Sequence, residues 1–334
     1  MSKKNSVREI NEKAYEIISP VKLLSAISWP DHLEAEFLSK ITKKKKPKIS
    51  FEYEKIDMSE EKEELKRLIK PLSRSEPTHI YTRSTIESYL RAFEMIENVG
   101  TGTFQALSVQ EYGVPDHFLF ESDFSHLDAA HKILEVYKDF DHPYLKEPEL
   151  CFSAEQLKDY LESESKKVFG DMSPNFEVSD KLTAKASAGR ERIRLRAGTC
   201  FTEYDFDQLL VHEVMTHTLT ALNGNAQPEL KLLGQGAPRT TKIQEGLATF
   251  SEVITGNMDL TRLKRLALRV IAIDKALNGA DFYDLFDFFK DNDQSDKESF
   301  LSASRILRGG SADGGIVFNK DSVYVVGILM MLFF

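Results

Sequence analysis

The chain has 334 residues, 41% of them hydrophobic and 29% charged, with a formal net charge of −9. That is an ordinary soluble composition, long enough for one large domain or two unequal lobes. Its acidity argues against nucleic acid as the main partner, because phosphate binding rests on clustered Lys and Arg.

In chain order, Glu9 to Ile18 and Leu33 to Ile41 are amphipathic helices either side of Trp29-Pro30. The basic run Lys43 to Lys46, followed by Pro47 and Lys48, reads as a solvated loop, and Ile49 to Tyr53 alternates as a short strand would. Helical spacing resumes from Ser59, taken as a cap, to Ile69, and again from Ser84 to Val99 before Gly100. A further helix is expected over Ser125 to Phe140. Phe176 to Val178, Leu182 to Ala186 and Arg192 to Arg196 then read as strands of a small antiparallel sheet. In the last, Ile193 and Leu195 alternate with Arg192, Arg194 and Arg196, the pattern of a sheet edge with a charged face. Thr202 caps a helix running to Leu222, and after a glycine- and proline-bearing connection a second runs from Thr241 to Thr255.

Cys151 and Cys200 stand far apart, without zinc-ribbon or redox spacing, which is compatible with a reducing cytoplasm. The N-terminus carries no visible secretory signal, so a cytoplasmic protein is expected. The only strongly apolar run, Val323 to Phe334, is shorter than the roughly 20 residues a bilayer crossing takes, so no membrane association is expected. It suits a buried helix, and a buried helix rarely stops without a cap or polar tail, which suggests a chain truncated at Phe334.

The block that carries chemistry is His212-Glu213-Val214-Met215-Thr216-His217. Imidazole is a preferred zinc ligand, and a glutamate beside it serves as a base toward water. The familiar HExxH motif spaces its histidines four apart on one helix face. Here they are five apart, which at about 100° per residue separates them by about 140°. Both reach one metal only if the helix loosens locally, as a π-type turn does. Glu245, in Gln244-Glu245-Gly246-Leu247-Ala248 on the second helix, supplies the third donor of a catalytic His2Glu set. Gly246 and Ala248 permit close helix contact there, while Leu247 and Phe250 supply a buried face. The other histidines, His32, His79, His117, His126, His131 and His142, read as structural or solvent-exposed.

HEVMTH, LTALNGNAQP and QEGLA, in that order, resemble the QEGLA-motif family, whose bacterial members are called flavohaemoglobin expression-modulating proteins. Its animal members include the microtubule-associated tyrosine carboxypeptidases, zinc enzymes with an HExxxH motif. The likeness is strongest from Arg192 to Gly327 and is supported by Ser88-Tyr89, Gly100 to Phe104 and Tyr112 to Pro115. It implies a zincin-like α+β metallopeptidase, with a helical segment over residues 1–75 and a catalytic domain over 76–334. It makes His212, His217 and Glu245 the Zn2+ ligands, and Glu213 the base that takes a proton from water and passes it to the departing amine. The substrate is then the C-terminus of a peptide or protein, with an aromatic preference implied by the animal relatives alone.

A terminal carboxylate needs a buried cation. Arg308 or Lys320 is the expected clamp, with Tyr324 as hydrogen-bond donor to the oxyanion and the free edge of the Arg194 strand as a rail for extended peptide. A non-catalytic regulatory metal-binding protein, or an endo- or aminopeptidase with the same zinc site, are the alternatives.

Overall fold

The computed structural model describes residues 6–41, 46–118, 123–139, 150–180, 182, 185–189 and 192–332. Lys43 to Lys45, Phe140, His142, Thr183, Ala184, Phe333 and Phe334, which enter the expectations above, lie outside them.

The first third of the chain is helical. Helices α1 (Val7–Ile18), α2 (Leu23–Ala26), α3 (His32–Ile41), α4 (Ser59–Ile69) and α5 (Pro77–Glu97) follow one another. Ser6 and Glu9 form a reciprocal cap on α1, satisfying backbone donors that the first turn leaves open. The cap of α4 is Met58 rather than Ser59, whose hydroxyl donates to Asp57. Ile49 to Tyr53 is not a strand; Phe51 and Tyr53 pack as rings beside Trp29 instead. Ile10, Leu65, Phe93 and Leu232 share one core, while Phe37 of α3 packs among rings contributed by residues beyond 280.

Helices α6 (Gly102–Tyr112), α7 (His126–Asp139) and α8 (Ala154–Phe169) lead to three strands, β1 (Asn175–Ser179), β2 (Ala186–Ala188) and β3 (Arg192–Arg196). The sheet order is β1-β3-β2, with β1 parallel to β3 and β2 antiparallel to it. The sheet is therefore mixed, not antiparallel. β3 is central, not an edge, because a crossover returns it between its predecessors. Ile193 and Leu195 face a core shared with Leu157, Leu161, Phe201 and Val214, as their alternation predicted. The sheet thus braces the segment that carries the histidines.

That segment begins with α9 (Glu203–Leu209), continues as a π-helical stretch Leu210–Thr218 and returns to α geometry in α10 (Leu219–Asn225). Asp205 reaches back to accept the N–H of Thr202, capping the entry. Then come α11 (Pro238–Ile254), α12 (Leu260–Leu277), α13 (Phe282–Lys290), α14 (Asp296–Ile306) and α15 (Val323–Leu332), the last after a 3-10 turn Asn319–Ser322. Val323 to Ile328 are buried, in keeping with a helix apolar on every face.

Cys151 and Cys200 do not stand apart in space: their Cα atoms are 5.1 Å from each other and the sulfurs are joined. Beside them Phe152 and Phe201 exchange backbone hydrogen bonds of 2.8 and 3.0 Å, tying the approach to α8 to the entry of α9. Disulfides persist mainly in oxidising compartments, so the cytoplasmic expectation draws no support from the cysteines. Among the described residues, no helix is long and apolar enough to cross a membrane.

Candidate metal centre

The π-helical stretch resolves the five-residue spacing. Widening the turn brings His212 and His217 to one side, with ring centroids 4.9 Å apart and planes at 83°. The Thr216 hydroxyl donates to the carbonyl of Val211, five residues back, at 2.8 Å, in step with the widened turn. Glu245 arrives from α11. Its Oε2 lies 3.6 Å from Nε2 of each histidine, and one donor atom from each of the three falls within 4.8 Å of the others.

These donors fit zinc. Ligand bonds of about 2.0–2.2 Å in a tetrahedral arrangement place donor atoms about 3.4 Å apart, close to the 3.6 Å between Glu245 and each histidine. Two imidazoles and one carboxylate leave a fourth position open, as a catalytic site requires. The surroundings are rich in carboxylates: Glu213, Glu245 and Glu252 all bear on His212. Burial alone would push the His212 pKa down, but hydrogen bonds to Glu245 and Glu252 outweigh it and hold the group up at about 9.

Glu245 is held in turn by Lys320, whose ammonium donates to Oε1 at 2.7 Å. Burial raises the Glu245 pKa, yet Lys320 and the two histidines overcome this and keep it well below the usual carboxylate range. Lys320 also lies 3.5 Å from the Tyr324 hydroxyl, so two of the three residues expected from the C-terminal block, Lys320 and Tyr324, stand beside Glu245. The contact depends on glycine. A Cβ on Gly246 would lie 2.7 Å from the backbone of Gly327, so α11 and α15 cross backbone to backbone. Gly246 and Ala248 are buried as expected, but Leu247 is 38% exposed and Phe250 only half-buried. Both point away from the face that carries Glu245, because they lie roughly half a turn from it.

The sequence profile of the microtubule-associated tyrosine carboxypeptidase family matches residues 35–334. The chain belongs to that family. Compared with curated proteins, it has no match.

In this family member the base candidate is anchored by the sheet. Oε2 of Glu213 accepts the N–H of Ala188, in β2, at 3.0 Å. Lys185 and Gly189 turn their backbone groups toward β3, in hydrogen bonds with Arg196 and Arg192. By alternation Ala186 and Ala188 turn theirs to the other edge, which no strand among the described residues pairs, beside Glu213. The strand edge at the site is therefore β2, and the Arg194 strand offers none: Arg194 sits opposite Glu177 and Ser187 with both its edges paired.

Sequence reasoning named Arg308 but missed the rest of a cationic group near Tyr324, Arg269 and Arg305 with Asp321. Arg305 makes a two-pronged contact with Asp321, one arm at 2.8 Å, and Arg269 lies 3.9 Å from the same carboxylate. Arg308 is 7% exposed, and both Arg269 and Arg308 are brought down to about 10, by burial first and by the neighbouring Arg305 second. Three guanidiniums thus gather around one buried carboxylate. Arg308 also lines a cavity of 100 Å³ with Trp29, Phe300 and Leu301.

Proposed function

We propose that the protein is a zinc-dependent carboxypeptidase of zincin-like architecture that removes a C-terminal aromatic residue, tyrosine foremost, from a peptide or protein. The observation that carries this reading is the convergence of His212, His217 and Glu245 beside a base, Glu213, held at a strand edge. His212, His217 and Glu245 would hold Zn2+, which when bound supplies a Lewis acid that polarises the scissile carbonyl and makes water more acidic. Glu213 takes the proton from the attacking water and delivers it to the leaving amine. Its hydrogen bond to Ala188 fixes the direction of that carboxylate. Tyr324 donates its hydroxyl to the developing oxyanion, and burial, with Glu245 nearby, raises its pKa, so it carries the proton it must donate.

The carboxylate of the departing residue is held by the Arg269, Arg305 and Arg308 group, with Asp321 fixing Arg305. Lys320, already engaged by Glu245, steers that ligand as well as adding positive charge. Extended substrate pairs with the free edge of β2 rather than with the Arg194 strand. A cytoplasmic setting without nucleic-acid partners remains part of this proposal.

Paired peptides ending in tyrosine, one with a free carboxylate and one amidated, test the reading by mass spectrometry. Loss of tyrosine from the free peptide alone is expected. Equal cleavage of both, or internal cleavage, overturns the carboxypeptidase assignment.

A further inference from the structure

Glu252 lies seven residues after Glu245 on α11, two turns along and only about 20° off the same face. It is fully buried at 0% exposure and no part of the reaction above uses it. An ionised carboxylate in that position is costly unless its oxygens are saturated. Here they are. Oε1 is 2.6 Å from Nδ1 of His212, 2.9 Å from the Gln208 amide and 3.0 Å from one Arg262 nitrogen, while Oε2 accepts from a second Arg262 nitrogen at 3.1 Å. The donors come from α9, the π-helical stretch and α12, so Glu252 joins three elements around one imidazole.

We infer that Glu252 is the positioning residue of the metal centre: it holds His212 as the tautomer protonated on Nδ1, with Nε2 turned toward Glu245 and His217, while Arg262 and Gln208 keep it from swinging in as a ligand itself. This inference rests on the zinc reading above. A carboxylate on the far nitrogen of a ligating histidine fixes ring and tautomer and raises ligand basicity, and losing such a partner weakens metal binding about 10–100-fold. An ion pair serving only to join α11 to α12 would have no reason to spend an oxygen on His212.

Glu252→Gln keeps the shape and removes the charge. Zinc dissociation constants from competition with a chromophoric chelator are expected to be about 10–100-fold weaker than wild type. The thermal midpoint of the zinc-free variant, measured alongside, separates this from a loss of fold. Nitrogen-15 histidine spectra of the zinc-loaded wild-type protein give a second readout that no variant's folding affects, with His212 expected to carry its proton on Nδ1. Wild type binding one zinc with Glu252→Gln within twofold of it, or a His212 proton on Nε2, overturns the inference alone. Wild type binding no zinc overturns the zinc reading and the inference with it.

Discussion

Adding one methyl group at Gly246 tests how the site is assembled. A Cβ there would stand 2.7 Å from the Cα, C and O atoms of Gly327, all of them backbone. Carbon atoms rest at about 3.5–4.0 Å, so α11 and α15 must part by about 1 Å. No side chain can swing aside to absorb this, which places Gly246→Ala near the upper end of the ~1–3 kcal/mol typical of overpacking. At about 2–3 kcal/mol, the thermal midpoint should fall by roughly 3–4 °C. The same shift carries with it the 3-10 turn Asn319–Ser322 that leads into α15, and so pulls Lys320 from Glu245, a contact of 2.7 Å. Metal ligands tolerate displacements of only about 0.2 Å, so zinc affinity should drop about tenfold or more. Differential scanning calorimetry and chelator competition read the two effects. Gly102→Ala, whose added Cβ meets nothing within 4 Å, is the control and should leave the midpoint unchanged or raise it. If Gly246→Ala matched wild type in both midpoint and zinc affinity, the close crossing would not be what holds Glu245 in place.

Tyr324→Phe should lower kcat about 10²–10³-fold with zinc affinity unchanged, read by steady-state kinetics beside chelator competition, because one oxyanion donor is lost. Asp321→Asn strands three guanidiniums in a buried group and should cost about 3–5 kcal/mol by urea denaturation. Burial raises the Asp321 pKa, yet Arg305 and then Arg269 bring it far below the usual carboxylate range. With the folded value depressed, this stabilisation is present above the ordinary carboxylate pKa of about 3.9 and is lost as pH falls toward the folded value. The gap between wild type and Asp321→Asn should therefore be constant at neutral pH and narrow only below about pH 4.

Much of the centre was legible because it is local. The five-residue interval between His212 and His217 cannot serve one metal on a regular helix, so a π-type turn followed from spacing alone, and Leu210–Thr218 adopts it. Gly246 beside Glu245 signalled a close crossing for a steric reason, although its partner, Gly327, comes from far along the chain. Strand order was not legible: Arg192–Arg196 has the alternation of an edge, but non-local pairing with β1 and β2 puts it in the middle. Glu252 escaped because a lone glutamate on a helix reads as a solvated acid. Its seven-residue interval from Glu245 was the available signal, since it places both on one face. The cationic group needed the fold, because Arg269, Arg305 and Asp321 converge from three separate elements.

The central claim is that this chain binds zinc through His212, His217 and Glu245 and uses Glu213 to cleave. It is tested most directly by incubating a peptide library with wild type and with Glu213→Gln, while metal content is measured on both by mass spectrometry. One zinc per chain in each protein, with C-terminal trimming by wild type alone, is the predicted result. One zinc in each and trimming by neither, or equal trimming by both, would contradict it.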